Sequence, residues 1–184
     1  PYHDWVIEDL ETLLENLTID PSVAQFLSHM TALESKAVKG DTRNFTTAFP
    51  PYDHQRYGLA RIMYSPRCAV FWDPGMGKTK LICDRILYER TLNPSNKTLI
   101  LALRVNLSTW VQEMEIHSRG KEEIVPLQGT PSKREKLLKE AIENNVSGLV
   151  CTYETARVSL DLLSAYNYSI IVADECHKMQ SYKS

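Results

Sequence analysis

The stretch Asp73-Pro74-Gly75-Met76-Gly77-Lys78-Thr79-Lys80 holds the residue types that grip phosphate. Gly75 and Gly77 lack a Cβ, so the backbone can bend there and come close to a ligand. The candidate cradle runs over Pro74, Gly75, Met76, Gly77, Lys78, Thr79 and Lys80. Its N–H groups and the start of the next helix point at one spot, which favours an anion. Lys78 adds a full positive charge suited to β- and γ-phosphates, and the Thr79 hydroxyl is placed to ligate magnesium. The strict pattern wants glycine where Trp72 stands. The competing reading is a glycine turn with an exposed lysine. The apolar run Ala69–Trp72 before the turn and the amphipathic pattern Leu81–Tyr88 after it give strand, turn, helix, the context that favours nucleotide phosphate.

A second stretch, Ile170-Ile171-Val172-Ala173-Asp174-Glu175-Cys176-His177, ends an apolar strand in two carboxylates. In a phosphate-loop fold the acid-bearing strand lies near the loop, with its C-terminal end facing the nucleotide. Asp174 can hold magnesium, directly or through water. Glu175 can orient and deprotonate an attacking water. A small-molecule kinase takes its nucleophile from the substrate, so the second acid favours hydrolysis over transfer. Lys78, Asp174 and Glu175 are the candidate catalytic residues. The alternative for the acids is a solvated strand end.

These groups need a scaffold. Strand candidates are Ala69–Trp72, Thr98–Leu103, Ile124–Leu127, Gly148–Tyr153 and Ser169–Ala173. Helix candidates lie at Tyr52–Met63, Lys80–Arg90, Leu107–His117, Ser132–Glu143 and Glu154–Tyr166. Thr130-Pro131 is a cap-plus-proline helix start. Strand–helix alternation at this spacing predicts an α/β fold, a parallel sheet with helices on both faces. Upstream, Val6, Ile7, Leu10, Leu13, Leu14 and Leu17 repeat at helical spacing, and Val23, Phe26, Leu27 and Met30 line a second helix. Residues 1–45 therefore read as a helical accessory segment, joined through a Gly- and Pro-bearing linker (Gly40 to Pro51) to an ATPase-like lobe over 46–184.

With 184 residues, 43% hydrophobic and 24% charged, the chain has the composition of a soluble globular protein. A net charge of −2 argues against a wholly basic nucleic-acid binder and leaves room for a local basic groove. No apolar run approaches a membrane span and no signal peptide opens the chain. Cys68, Cys83, Cys151 and Cys176 show no Cys-x-x-Cys spacing and read as reduced, buried thiols of an intracellular protein. The chain begins at Pro1 and reads as an excerpt of something longer.

The upstream run Pro51-Tyr52-Asp53-His54-Gln55-Arg56, the glycine loop and the Asp-Glu-x-His box together resemble the first ATPase lobe of superfamily-two helicases and translocases. The closer likeness is to the Swi/Snf-like branch, particularly bacteriophage helicases. Asp-x-Gly-x-Gly-Lys-Thr at the loop, Thr98 to Trp110 ending in Ser-Thr-Trp, Thr152-Tyr153-Glu154, and Lys178 and Ser184 after the box carry it. It covers about Pro50 to Ser184, and residues 1 to 45 match nothing. Trp72, Pro74, Leu103 and Cys176 depart from the usual residues, and none removes a group that hydrolysis needs.

The resemblance implies a RecA-like phosphate-loop lobe that binds ATP and magnesium and acts on nucleic acid, chiefly double-stranded DNA, beside a second RecA-like lobe with arginine fingers. It places the protein in bacterial or phage-infected cytoplasm. Gln55 would read adenine through its carboxamide. His177 would couple the site to the nucleic-acid path or the next lobe; on its own it is a polar loop histidine. Arg104, Ser108, Thr109 and Thr152 would touch one strand's phosphates, which carry little sequence information. Trp110 falls on an apolar helix face with Leu107, Val111 and Met114 and reads as packed core. The run Lys133, Arg134, Lys136, Lys139, interleaved with Glu135, Glu140 and Glu143, reads as a solvated helix face. Rival readings are the motor subunit of a restriction-type enzyme, another phosphotransferase, and a degenerate lobe kept for protein binding. Intact Lys78, Thr79, Asp174 and Glu175 speak against the last.

Overall fold

The computed structural model describes residues 45–65 and 67–176, together with 39–42 and positions 25, 28, 31, 32, 35 and 36. Those six positions are helical and fall where the second N-terminal helix is expected. The first expected helix, His177, Lys178 and Ser184 lie outside the described residues.

Helix α1 spans Asp53–Tyr64 and α2 spans Lys78–Leu92. Strand β1 (Thr98–Leu101) leads through a 3-10 turn at Arg104–Asn106 into α3 (Leu107–Ser118). Then come β2 (Ile124–Pro126), α4 (Pro131–Glu143) and β3 (Gly148–Cys151). Two short helices, α5 (Tyr153–Val158) and α6 (Leu160–Ser164), precede β4 (Ile170–Ala173). The four strands form one sheet in the order β2-β3-β1-β4, and every pair is parallel.

Both faces of this sheet are covered, as expected. On one, Cys83 and Ile86 of α2 and Trp110 and Met114 of α3 pack on Ile100, Ile124 and Val150, with Ile170 and Val172 of β4 beside them. On the other, Leu138 and Ala141 of α4 and Leu163 of α6 pack on Leu99, Leu149 and Cys151. A fully buried aliphatic side chain contributes about 1.5–3 kcal/mol, so the helices are held chiefly by these stripes. Thr130 caps α4 by accepting from the Lys133 N–H at 3.3 Å, and Pro131 takes the first helical position.

Three expectations are corrected. Residues Ala69–Trp72 carry no ladder. Alternation marks which side chains turn inward, and here Val70 and Trp72 turn onto a cluster of Leu59, Ile62, Met63, Leu81 and Tyr88 while Phe71 is 91% exposed. The run's apolar character is absorbed by α1 and α2, not by a neighbouring strand. The expected helix Glu154–Tyr166 breaks at Ser159, which leaves helical angles (φ −122°, ψ 23°). Val158 and Ser159 are weak helix formers, and the break lets Leu163 reach the core. Of the cysteines, only Cys83 and Cys151 are buried; Cys68 and Cys176 are exposed, and all four are free thiols. Burial pushes the Cys83 and Cys151 thiols up, Cys151 to about 12. No helix among the described residues is long and apolar enough to cross a membrane.

Candidate functional site

Helix α2 feeds β1 through a short connection, so its C-terminus sits where the strands begin. Its N-terminus therefore lies at the sheet's C-terminal edge, the edge where parallel α/β sheets bind ligands. Gly77 occupies the N-cap in the left-handed region (φ 81°, ψ 34°), and no side chain caps the first turn. The N–H groups of Lys78, Thr79 and Lys80 are thus the orphan donors of a helix start. The Leu81 N–H closes the first helical bond to the Gly77 carbonyl at 3.0 Å. Gly75 also has positive φ, at 84°. Lys78 turns back on the loop, its Nζ donating to the carbonyls of Trp72 (2.7 Å) and Asp73 (3.2 Å). Lys80 instead pairs with Asp84 at 2.5 Å.

Gln55 lies against this loop. It is 6% exposed. Its Nε2 donates to the Met76 carbonyl at 3.2 Å, and its Oε1 accepts from the Tyr52 N–H at 3.1 Å. His54 Nε2 also sits 3.1 Å from the Met76 carbonyl. The positive φ favours glycine at 77, and a Cβ there would stand 2.3 Å from Gln55 Nε2, so the carboxamide would have to move to admit one. Trp72 fills the place of the missing first glycine. Its indole crosses α1 so closely that a Cβ on Gly58 would meet it at 2.4 Å, and His54 packs edge-on at 5.3 Å between ring centroids. The roles of His54 and Gly58 in seating the loop escape sequence reading; the only signal was the aromatic at a glycine position.

Asp174 follows β4 directly. Its N–H donates to the Leu101 carbonyl at 2.8 Å, continuing the ladder by one residue. Its Oδ2 accepts from Trp110 Nε1 (3.1 Å) and Asn106 Nδ2 (3.3 Å). Its backbone carbonyl accepts from the Tyr153 hydroxyl at 2.7 Å. Burial, with Cys176, Asp174 and Glu175 nearby, pushes the Tyr153 phenol up to about 12, so it stays a neutral donor. Glu175 is exposed and left-handed (φ 53°), a conformation that costs a non-glycine residue energy and is common at functional sites. The two acids therefore diverge through a turn, not through strand alternation.

Arg104, Ser108 and Thr109 are all exposed at the start of α3. Thr152 is buried and caps α5, its hydroxyl accepting from the Thr155 N–H at 3.1 Å. Trp110 is core, 4% exposed, as expected. A hollow of about 290 Å³ between the first turn of α4 and the α5–α6 junction, lined by Pro131, Arg134, Ser159 and Asp161 among others, contains none of the candidate residues.

The donor set can be tested against the groups it implies. An uncapped helix start with a lysine beside it fits a phosphate. Among the described residues no three His, Cys, Asp or Glu side chains gather to cage a metal. One carboxylate and one hydroxyl, Asp174 and Thr79, fit magnesium, which is commonly held by one or two carboxylates plus substrate phosphates and water.

A glycine loop opening a helix at the carboxyl edge of a parallel sheet, with an acid pair ending a strand of that sheet, defines a phosphate-loop α/β lobe of the RecA-like kind. The SNF2-related domain family matches residues 25–184, starting upstream of the expected beginning near Pro50 and so taking in part of the segment expected to match nothing, and the chain belongs to that family. SNF2-related domains are ATPase domains of helicase-like enzymes that act on nucleic acids, generally with ATP and magnesium. Among curated proteins none matches the chain.

Proposed function

We propose that the chain is the ATP-binding and ATP-hydrolysing lobe of a DNA-dependent translocase or helicase, working beside a second RecA-like lobe on double-stranded DNA. The observation that carries this reading is the shared edge. The start of α2 is uncapped, α2 runs back to the beginning of β1, and the strand beside β1 ends in Asp174–Glu175; this direction of the chain supports a shared carboxyl edge for the loop and the acids.

In this reading Pro74 through Lys80 wrap the phosphates, and Lys78 exchanges its two carbonyl partners for β- and γ-phosphate oxygens, so the ammonium stays paired throughout. A glutamine has two donors and two acceptor lone pairs. Gln55 spends one of each on Met76 and Tyr52 and keeps one of each for the adenine edge. Thr79 and Asp174 hold magnesium, which when bound supplies charge against the developing negative oxygens. Glu175 accepts a proton from water as the water oxygen bonds the γ-phosphorus and the β–γ bridging oxygen leaves with ADP. Catalysis is then mostly positioning and charge stabilisation. Arginines of a partner lobe are worth about 10³–10⁵ in rate in comparable enzymes, so this lobe alone turns over slowly.

Arg104, Ser108 and Thr109 supply phosphate contacts to one DNA strand from an exposed helix start. Thr152 has its hydroxyl committed to the α5 cap, so its part in that surface is to set the backbone. His177 is assigned the coupling of this site to the nucleic-acid path. The likeness to phage helicases carries the further reading of bacterial or phage-infected cytoplasm.

The test is nucleotide binding by Lys78→Ala. Fluorescent ATP-analogue affinity is expected to vanish while far-UV circular dichroism stays unchanged. Wild-type affinity in a folded Lys78→Ala protein would overturn the loop assignment.

A further inference from the structure

Asp174 is fixed at four points. Its N–H is tied to Leu101, its carbonyl to the Tyr153 hydroxyl, and one carboxylate oxygen to two donors, Trp110 Nε1 and Asn106 Nδ2. Oδ1 meets no donor among the described residues. A carboxylate gripped by one oxygen presents the other in a set direction. The grip is stiff because an indole N–H moves only with its ring, and this ring is locked among Leu107, Met114, Ile100 and Val150. Hydrogen bonds to a charged acceptor are also stronger than neutral ones.

The donors' origin matters as much as their number. Asn106 ends the 3-10 turn and Trp110 lies on the first turn of α3. The outward side of the same short segment is Arg104, Val105, Ser108 and Thr109, all exposed. One seven-residue segment therefore has a solvent-facing side and a side that holds Asp174.

We propose that Trp110 and Asn106 are positioning residues for Asp174, aiming its second carboxylate oxygen at magnesium. The proposal rests on the reading of Asp174 as the magnesium carboxylate. Outer partners that orient a metal-binding group typically matter by 10–100-fold in metal affinity. Trp110→Phe keeps an aromatic ring in the core and deletes the N–H together with the rest of the indole's five-membered ring, so Asn106→Ala, which leaves the core volume intact, is its control.

The experiment is a magnesium titration of fluorescent ATP-analogue binding by the intact chain, read against binding in EDTA. Trp110→Phe is expected to raise the magnesium midpoint by about tenfold or more while affinity in EDTA stays at the wild-type value. Asn106→Ala, in a half-buried turn outside the core, is expected to shift it in the same direction and serves alone if Trp110→Phe does not fold. Asp174→Asn separates the two ideas. If it leaves the magnesium midpoint unchanged, Asp174 is not the metal residue and the underlying reading fails. If Asp174→Asn shifts the midpoint and neither Trp110→Phe nor Asn106→Ala does, the positioning proposal alone is overturned. In the Asp174→Asn background Trp110→Phe is expected to add nothing further; an additive loss there would mark a general packing effect and would also overturn it.

Discussion

Gly77→Ala and Gly75→Ala test the geometry of the glycine loop without any ligand. Both glycines are left-handed, at φ 81° and 84°, a conformation that costs a residue with a Cβ about 1–2 kcal/mol. Their surroundings differ. Nothing lies within 4 Å of a Cβ on Gly75, whereas one on Gly77 would stand 2.3 Å from Gln55 Nε2. Alanine at 77 must therefore also push the Gln55 carboxamide, whose Nε2 bonds the Met76 carbonyl and whose Oε1 bonds the Tyr52 N–H, from its place, at a cost of up to both bonds. Those are two hydrogen bonds worth about 0.5–1.5 kcal/mol each in net stability. Gly75→Ala should cost about 1–2 kcal/mol and Gly77→Ala about 2–5 kcal/mol. The assay is urea unfolding followed by far-UV circular dichroism, with linear extrapolation. Repeating Gly77→Ala in a Gln55→Ala background closes a double-mutant cycle. With the carboxamide gone, only the backbone cost should remain, a coupling of about 1–3 kcal/mol. Equal costs at 75 and 77, or no coupling to Gln55, would refute the close seating of α1 on the loop.

Two further outcomes follow from the same residues. Burial raises the Asp84 carboxyl above its ordinary 3.8, outweighing the Lys80 bond that pulls it down; one oxygen, Oδ1, is buried without a hydrogen-bond partner in the structure, which fits a poorly solvated anion. The folded chain then keeps a proton that the unfolded chain has released. The stability from this group is full below 3.8 and is lost as pH rises through the folded value. Thermal unfolding of wild type against Asp84→Asn should accordingly show wild type losing ground as pH rises above 4, and a constant difference would contradict the burial argument. Glu175→Gln, assayed with the partner lobe present, is expected to bind magnesium–ATP normally and to stop phosphate release; wild-type turnover would remove Glu175 as the base.

Local chemistry made much of this legible. Helix α2, the strands β1, β3 and β4 and the Thr130 cap all follow from short-range patterns, and their ends shift by two residues at most. Ala69–Trp72 misleads because a short continuous apolar run reports burial and says nothing of pairing. The break at Ser159 was hidden because Leu160, Leu162 and Leu163 continue an apolar pattern that a straight helix could also use. Trp110 is legible as core from its helical spacing with Leu107, Val111 and Met114, yet its bond to Asp174 is not. The two residues stand 64 positions apart, and only the sheet brings α3 and β4 together. The Thr152 cap could have been found in the sequence, since Thr152 precedes a helix and Thr155 lies three residues on, the spacing of an N-cap contact.

The register explains why residues from so many parts of the chain arrive together. Leu101 pairs with Cys151 on one side and with Ala173 on the other. The three strands thus end in step, and the next residues, Ala102, Thr152 and Asp174, form one row just beyond the sheet. Each then turns differently. Ala102, fully buried, leads into the 3-10 turn that carries Asn106. Thr152 caps α5 and sends Tyr153 under Asp174. Asp174 enters the left-handed turn at Glu175. Because side chains alternate along a strand, a slip of one residue in β4 would turn Asp174 to the opposite face. It would also remove the carboxylate from both donors on α3 and the 3-10 turn. The contacts of the partly buried Ile170 and Val172 with the α2–α3 cluster oppose that slip, so the packing that stabilises the sheet is also what fixes the acid's position.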